Sequence, residues 1–154
     1  VCPLVPSNVM SKELQIRDAT AADAAEITTL LASLGYSDTE PFIGQRIQTL
    51  LLHPDACLLV AEQHGQLCGV LSLHFIPQLA LAGDFCRISY FCISDDARGQ
   101  GIGALLEVRA TELARARNCD RIEVHCHSRR TDAHRFYARQ GYTESPKYLM
   151  KSVR

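Results

Sequence analysis

The chain has 154 residues, the length of one domain, because single hydrophobic cores usually close at about 100 to 150 residues. An apolar fraction of 47% and a charged fraction of 21% are ordinary globular values and exclude a disordered or collagen-like chain. The formal net charge of -1 supplies no basic field for a phosphate backbone, which excludes nucleic acid as the main partner.

The chain start and the cysteines indicate the compartment. No stretch approaches the ~18 consecutive apolar residues of a membrane helix, so no membrane partner is expected. Residues 1–12 are apolar but lack the basic segment of a signal peptide, and we interpret them as a disordered leader before a domain at 13–154. The 7 cysteines are odd in number and form no CxxC pair, which predicts reduced core thiols in a cytoplasmic protein.

Hydrophobic periodicity and turn signals define the elements. Thr20 and Asp23 form a capping box, Pro41 suits a helix start, and His64-Gly65 joins two β-branched runs as a hairpin. In chain order we predict a strand at 14–17, helices at 20–34 and 41–52, strands at 56–62, 67–76 and 85–93, a helix ending near 117, a strand at 121–127, a helix at 131–140 and a strand at 148–153. The fold class is therefore mixed α/β, with a mostly antiparallel sheet of six to seven strands flanked by about four helices.

A glycine-rich turn lies between the strand that ends at Ile93 and the following helix, and it contains Gly99, Gly101 and Gly103. The first N–H groups of a helix lack intrahelical partners and carry about half a positive charge, so an anion such as a pyrophosphate is expected there. The structural alternative is a close junction of strand and helix. A phosphate loop needs a lysine where Ala104 stands, and a dinucleotide fold needs an acid where the next strand ends, so neither fits.

Two sequence blocks resemble a known family. Arg98-x-x-Gly101-x-Gly103 resembles the acetyl-CoA signature of the GNAT superfamily of N-acetyltransferases, and Ala133 to Tyr142 resembles its second block, with Phe136-Tyr137 at the centre. The resemblance covers about residues 14–153 and implies a single-domain GNAT fold, with acetyl-CoA as cosubstrate. The cofactor-binding residues that it implies are Phe91, Cys92, Ile93, Arg98, Gly99, Gln100, Gly101, Ile102, Gly103, Ala104, Arg130 and His134.

The resemblance also implies direct attack of an amine on the thioester. Tyr137 is then the candidate general acid for the departing thiolate, and packing is its structural alternative. Relatives place a carboxylate on the fourth strand where Ser89 and Tyr90 stand here, so we consider His125 and His127 as bases on one face of the fifth strand. With His74 this pair could form a metal site, but no residues of zinc-like spacing accompany them and we predict no metal.

The substrate is less closely defined. The segment Arg130 to Tyr137 resembles the aminoalkylphosphonate N-acetyltransferases. Arg129 and Arg130 would suit a phosphonate, whereas the acids Asp38, Glu40 and Asp84 would suit an aminoglycoside antibiotic. Acetylation of a protein or peptide, and a CoA-binding module without turnover, are the alternatives. A homodimer is a further expectation, because relatives often pair through late strands.

Overall fold

The computed structural model describes residues 13–145 and 147–154, so the expected leader at 1–12 lies outside the described residues. The strands form one sheet in the order β1-β2-β3-β4-β5. Their bounds are β1 Leu14–Asp18, β2 Ala56–Gln63, β3 Gln66–Ile76, β4 Phe85–Ile93 and β5 Arg121–Val124. The helices are α1 Ala24–Ser33, α2 Glu40–Leu52, α3 Ile102–Ala116 and α4 Thr131–Arg139, with short 3-10 helices at Ala21–Asp23 and Asp95–Ala97.

The pairing follows the predicted order. β1 with β2, β2 with β3, and β3 with β4 pair antiparallel. The connection from β4 to β5 contains α3, the kind of crossover that joins parallel neighbours. The Asp120 N–H donates to the Asp84 carbonyl at 2.8 Å, which sets the start of β5 beside the start of β4. The mixed α/β class, the mostly antiparallel sheet and the four helices are therefore confirmed.

Two details of the predicted sheet are wrong. Within the described residues there are five strands rather than six to seven, since 148–153 form no strand. β5 ends at Val124, so His125 and His127 lie beyond it. Strands persist only where a neighbouring strand satisfies their N–H and C=O groups, and the alternation of residue types does not reveal that neighbour.

Helices lie against the faces of the sheet. Ile27, Leu30 and Ile47 from α1 and α2 cluster with Val60 and Val70 of the central strands, and all five are buried. Leu71 and Leu73 point to the opposite face and are 0% exposed. α3 contacts β3 and β4. The chain divides after Glu123 into two compact units, of which the first carries the first three helices and nearly all of the sheet, and the second carries α4.

The cysteines correct one expectation. Cys57 forms a disulfide, so the prediction of reduced thiols throughout is wrong at this position. Pairing depends on how closely the chain brings two Cα atoms together, which spacing along the sequence does not show. The cysteines that are free are Cys68, Cys86, Cys92, Cys119 and Cys126. Among the described residues, none of the helices combines the length and apolarity needed to cross a membrane.

Candidate functional site

The glycine turn adopts a conformation that glycine favours. After the short helix at Asp95–Ala97, Gly99 has φ +80° and Gly101, the N-cap of α3, has φ +78°. L-residues with a side chain enter this left-handed region only at a cost. A Cβ at either position would meet no atom within 4 Å, so backbone conformation and not crowding requires glycine. The alternative of a tightly packed junction therefore does not hold at these two glycines.

The start of α3 leaves three N–H groups without an acceptor in the helix. Leu105 donates to the Gly101 carbonyl at 3.1 Å as the first bond of the helical ladder. The N–H groups of Ile102, Gly103 and Ala104 precede that bond and have no intrahelical acceptor. Residues 98–101 are exposed, so a ligand can reach the turn. Open amides at the positive end of a helix dipole fit the diphosphate of coenzyme A.

The charge of Arg98 is partly compensated. Its Nη2 lies 3.3 Å from Asp95 Oδ1, and both side chains are more than half exposed. Exposed pairs of this kind exchange readily with water and contribute little stability. Arg98 is therefore available to turn toward a phosphate.

Gly69 on β3 sets how closely the turn approaches the sheet, and it was not among the predicted site residues. A Cβ there would lie 2.9 Å from Ile93 Cδ1 and 3.0 Å from Leu106 Cδ1. A side chain at this position would displace the ends of the Ile93 and Leu106 side chains, so glycine favours this approach of β4 and α3 to β3. The signal was an isolated glycine inside an apolar strand, which marks a bulge or a close contact.

The end of β4 leads into the turn through its main chain. Ile93 is opposite Gly69 in the ladder and Cys92 is opposite Val70. The Cys92 thiol is buried and donates to the Leu30 carbonyl at 3.3 Å. The Cys92 side chain is thus committed to the core, and backbone groups are what this residue can offer a ligand.

A cleft of about 450 Å³ opens beside β3 and β4. Within it, His74 Nδ1 and Ser89 Oγ are 2.7 Å apart. Burial lowers the pKa of His74, and the nearby His53 and Arg87 lower it further. Arg87 Nη2 contacts Glu123 Oε2 at 3.4 Å. The cleft therefore combines a neutral imidazole, a hydroxyl and a guanidinium, none of which was predicted to share one site.

In the second unit, the predicted bases lie in irregular chain. The His125 ring packs against Tyr148 with centroids 4.4 Å apart, and His127 Nδ1 accepts the Arg129 N–H at 3.2 Å. Both histidines are exposed. The prediction that they share a strand face is wrong, because β5 has already ended. Across the described residues, no group of three or more His, Cys, Asp or Glu is placed to hold a metal ion.

The predicted acid lies on α4. The Tyr137 ring packs edge-on against Phe136 and against Tyr142, each at 5.2 Å between centroids. Arg130 is the N-cap of α4, and its carbonyl accepts the His134 N–H at 3.1 Å. Arg130 and His134 are exposed at the start of this helix, which leaves both side chains accessible to a ligand.

Comparisons with known proteins identify the family of this chain. Residues 22–142 match the model of the acetyltransferase (GNAT) family. The chain is 30% identical over 132 residues to an aminoalkylphosphonate N-acetyltransferase of Salmonella typhimurium, covering 85% of this chain and 86% of the relative. A structure of a transcriptional regulator from Bacillus halodurans C-125 is similar, with TM-score 0.83, 26% identity, and coverage of 91% of this chain and 99% of the other.

A second solved structure extends the likeness in fold. An aminoglycoside antibiotic 6'-N-acetyltransferase from Acinetobacter haemolyticus superposes with TM-score 0.77 at 18% identity, over 91% of this chain and 98% of the other. The family match spans residues 22–142, most of the chain, and includes the glycine turn at the head of α3. The chain therefore belongs to the GNAT acetyltransferase family and is an acetyl-CoA-dependent N-acetyltransferase.

Proposed function

We propose that this enzyme acetylates the primary amine of a small molecule that carries an acidic group, with aminoalkylphosphonates as the first class to test. The similarity to the aminoalkylphosphonate enzyme over 132 residues carries this proposal. The cleft supports it, because Arg87 lines it and its side chain is 35% exposed. A phosphonate oxygen would accept a charge-assisted hydrogen bond from this guanidinium, alongside its present partner Glu123 at 3.4 Å.

In the proposed mechanism the amine attacks the thioester directly. The carbon–nitrogen bond forms, the carbon–sulfur bond breaks, and no covalent enzyme intermediate is needed. The amides from Gln100 to Ala104 hold the diphosphate, while the main chain of Phe91 to Ile93 aligns the pantetheine arm like an added strand. At the start of α4, Arg130 and His134 contribute polar contacts to the same cosubstrate.

Three proton transfers complete the reaction, of which the third returns the second amine proton to the Tyr137 phenolate as the amide forms. Tyr137 donates its phenolic proton to the departing sulfur, since a phenol stays protonated at neutral pH. The incoming ammonium must lose a proton before it can attack. His125 and His127 are the bases proposed from the sequence, and their exposure keeps their rings open to water.

A second substrate class is an aminoglycoside antibiotic. Asp38, Glu40 and Asp84 carry the negative charge that a polycationic amine would need. Asp38 is exposed between α1 and α2, and Glu40 is exposed at the first residue of α2. If aminoglycosides are the substrates, the role of the enzyme would be resistance to these antibiotics. The remaining alternative is acetylation of a protein or peptide N-terminus. A cytoplasmic location and a homodimer also stay predictions.

The test is release of CoA thiol from acetyl-CoA with aminoalkylphosphonates, polyamines, aminoglycosides and peptides as acceptors. We expect the highest kcat/KM with an aminoalkylphosphonate. A preference for aminoglycosides or peptides would refute the proposed substrate class, and acetyl-CoA binding without amine-dependent release would refute turnover of these amines.

Tyr137→Phe tests the proposed acid. We expect kcat to fall by about 10²- to 10⁴-fold, the range for loss of a positioned proton donor, with the Kd for acetyl-CoA nearly unchanged. Tyr142→Phe is the matched control, since it removes the same hydroxyl from the ring packed against Tyr137. Equal rates in both variants would remove Tyr137 from the mechanism.

A further inference from the structure

The contact between His74 and Ser89 arises from an irregularity in β4. Ser72 pairs with Tyr90 but Leu73 pairs with Ile88, so Ser89 is an extra residue without its own partner across the ladder. Such bulges redirect a side chain and are frequent beside active sites. Here the bulge leaves the Ser89 hydroxyl 2.7 Å from His74 Nδ1, inside the cleft.

Ser89 stands where the family resemblance predicts a carboxylate on the fourth strand, so the cleft lacks that acceptor at this position. His74 reaches the same place from the neighbouring strand β3. Its Nδ1 is held by Ser89, and within the described residues its Nε2 has no hydrogen-bond partner. An imidazole anchored at one nitrogen and open at the other can accept a proton at the open nitrogen.

The surrounding charges favour a neutral imidazole. The titratable or charged groups that face His74 come from the segment before β2, from β4 and from β5, and they are His53, Asp55, Arg87 and Glu123. Both acids are already paired: Arg117 holds Asp55 at 2.9 Å, and Glu123 binds Arg121 at 2.7 Å and Arg87 at 3.4 Å. Burial, together with the neighbouring His53 and Arg87, keeps the pKa of His74 below its usual range.

Glu123 is a poorer acceptor than His74. Burial raises the pKa of Glu123, but Arg121 and Arg87 together outweigh burial and lower it, so this carboxylate holds a proton weakly at neutral pH. A base is most effective when its pKa lies near the working pH, and a half-buried imidazole is closer to that condition.

We propose that His74 is the general base of the reaction and that Ser89 positions it, an inference that rests on the proposed function. The substrate ammonium loses its proton to His74 Nε2: the N–H bond breaks, the electron pair stays on the amine nitrogen, and a new Nε2–H bond forms. The Nδ1–H donates to Ser89 Oγ and stabilises the resulting imidazolium. Water then takes the proton from His74 after the amine has attacked the thioester.

The experiment is the pH profile of kcat/KM with acetyl-CoA and 2-aminoethylphosphonate, for the full chain and for His74→Gln. Gln keeps a polar group within reach of Ser89 but cannot act as a base. We expect the wild type to lose activity as pH falls through a midpoint below about 6.5, and His74→Gln to lose that limb together with about 10²- to 10⁴-fold in kcat/KM. The Kd for acetyl-CoA should not change.

Ser89 requires its own readout. Ser89→Ala should shift the midpoint of the acidic limb and lower kcat, whereas Ser89→Thr, which keeps the hydroxyl, should restore both. A merely structural role would lower thermal stability in both variants and leave the midpoint in place. His64→Gln, an exposed histidine of the β2–β3 turn that contacts Glu13, is the control and should keep the wild-type profile.

The outcomes separate the inference from the proposed function. If none of the amines causes the wild type to release CoA thiol, the proposed function fails, and the inference fails with it. If the wild type is active but His74→Gln keeps its rate and acidic limb, only the inference is overturned. Loss of the limb in His125→Gln or His127→Gln instead would assign the base to that residue.

Discussion

Gly101→Ala tests the anion site at the head of α3. The residue has φ +78°, so an alanine there costs about 1 to 2 kcal/mol of backbone strain. The added Cβ meets no protein atom within 4 Å, so no packing cost is added. At about 2 to 4 °C per kcal/mol for a chain of this size, we expect Tm to fall by about 2 to 8 °C.

The effect on the cosubstrate should be larger. The methyl group projects at the turn where the diphosphate is proposed to lie, and displacing one charge-assisted hydrogen bond costs about 1.5 to 3 kcal/mol. That corresponds to a loss of about 10- to 150-fold in acetyl-CoA affinity. Isothermal titration calorimetry of acetyl-CoA against the variant, with Tm measured in parallel, provides both numbers.

Gly65→Ala is a closely matched control. Gly65 lies in the turn between β2 and β3 with φ +75°, and a Cβ there would meet nothing within 4 Å, so its backbone cost equals that of Gly101. We expect the same fall in Tm with no loss of acetyl-CoA affinity. If Gly101→Ala weakens acetyl-CoA binding no more than Gly65→Ala does, the anion site is not at this turn.

Two further predictions concern stability. Gly69→Ala should lower the free energy of unfolding by about 1 to 3 kcal/mol, because its Cβ would lie 2.9 Å from Ile93 Cδ1. Gly44→Ala in α2 is the control: its Cβ meets nothing within 4 Å, and it should raise the free energy of unfolding by about 0.5 to 1 kcal/mol. Equal Tm shifts of the two variants in thermal melts would contradict the close approach at Gly69. Arg17 Nη1 lies 2.8 Å from Asp23 Oδ2 and lowers the pKa of the Asp23 carboxyl in the folded protein. The ionised carboxylate therefore stabilises the fold at pH values above the pKa of Asp23 in the unfolded chain. This stabilisation is lost as the pH falls through the lower pKa of Asp23 in the folded protein. In melts from pH 7 to 3, the advantage of wild type over Asp23→Asn should therefore shrink at the acidic end; a constant difference would show that ionisation of Asp23 is not responsible.

Local patterns were sufficient for most of the fold. The apolar spacing of α1 and α2, the capping box at Thr20 and the hairpin signal at His64-Gly65 each depend on residues within a few positions of one another. The glycine turn was equally predictable, because its glycines, the preceding strand and the following helix are consecutive in the chain. Such features need no knowledge of distant partners.

The loop at 77–84 shows where local patterns stop. No local pattern in this loop indicates a partner, yet Gln78 Nε2 donates to the Gly83 carbonyl at 2.8 Å and to Asp120 Oδ2 at 3.1 Å. The Gly83 N–H also donates to that carboxylate at 3.1 Å. Asp120 is distant in sequence, so its role depends on the arrival of β5 beside β4.

The sequence by itself determined the order of elements, the acetyl-CoA signature and the missing carboxylate on β4, since each is a property of neighbouring residues. Tertiary structure decided where β5 ends, how close Gly69 lets α3 approach, and that His74 and Ser89 line one cleft. His74 and Ser89 are 15 positions apart, and only the bulged pairing of β3 with β4 brings an imidazole to the place where a carboxylate was expected. Contacts of that kind depend on strand register, which is settled by how the whole sheet packs.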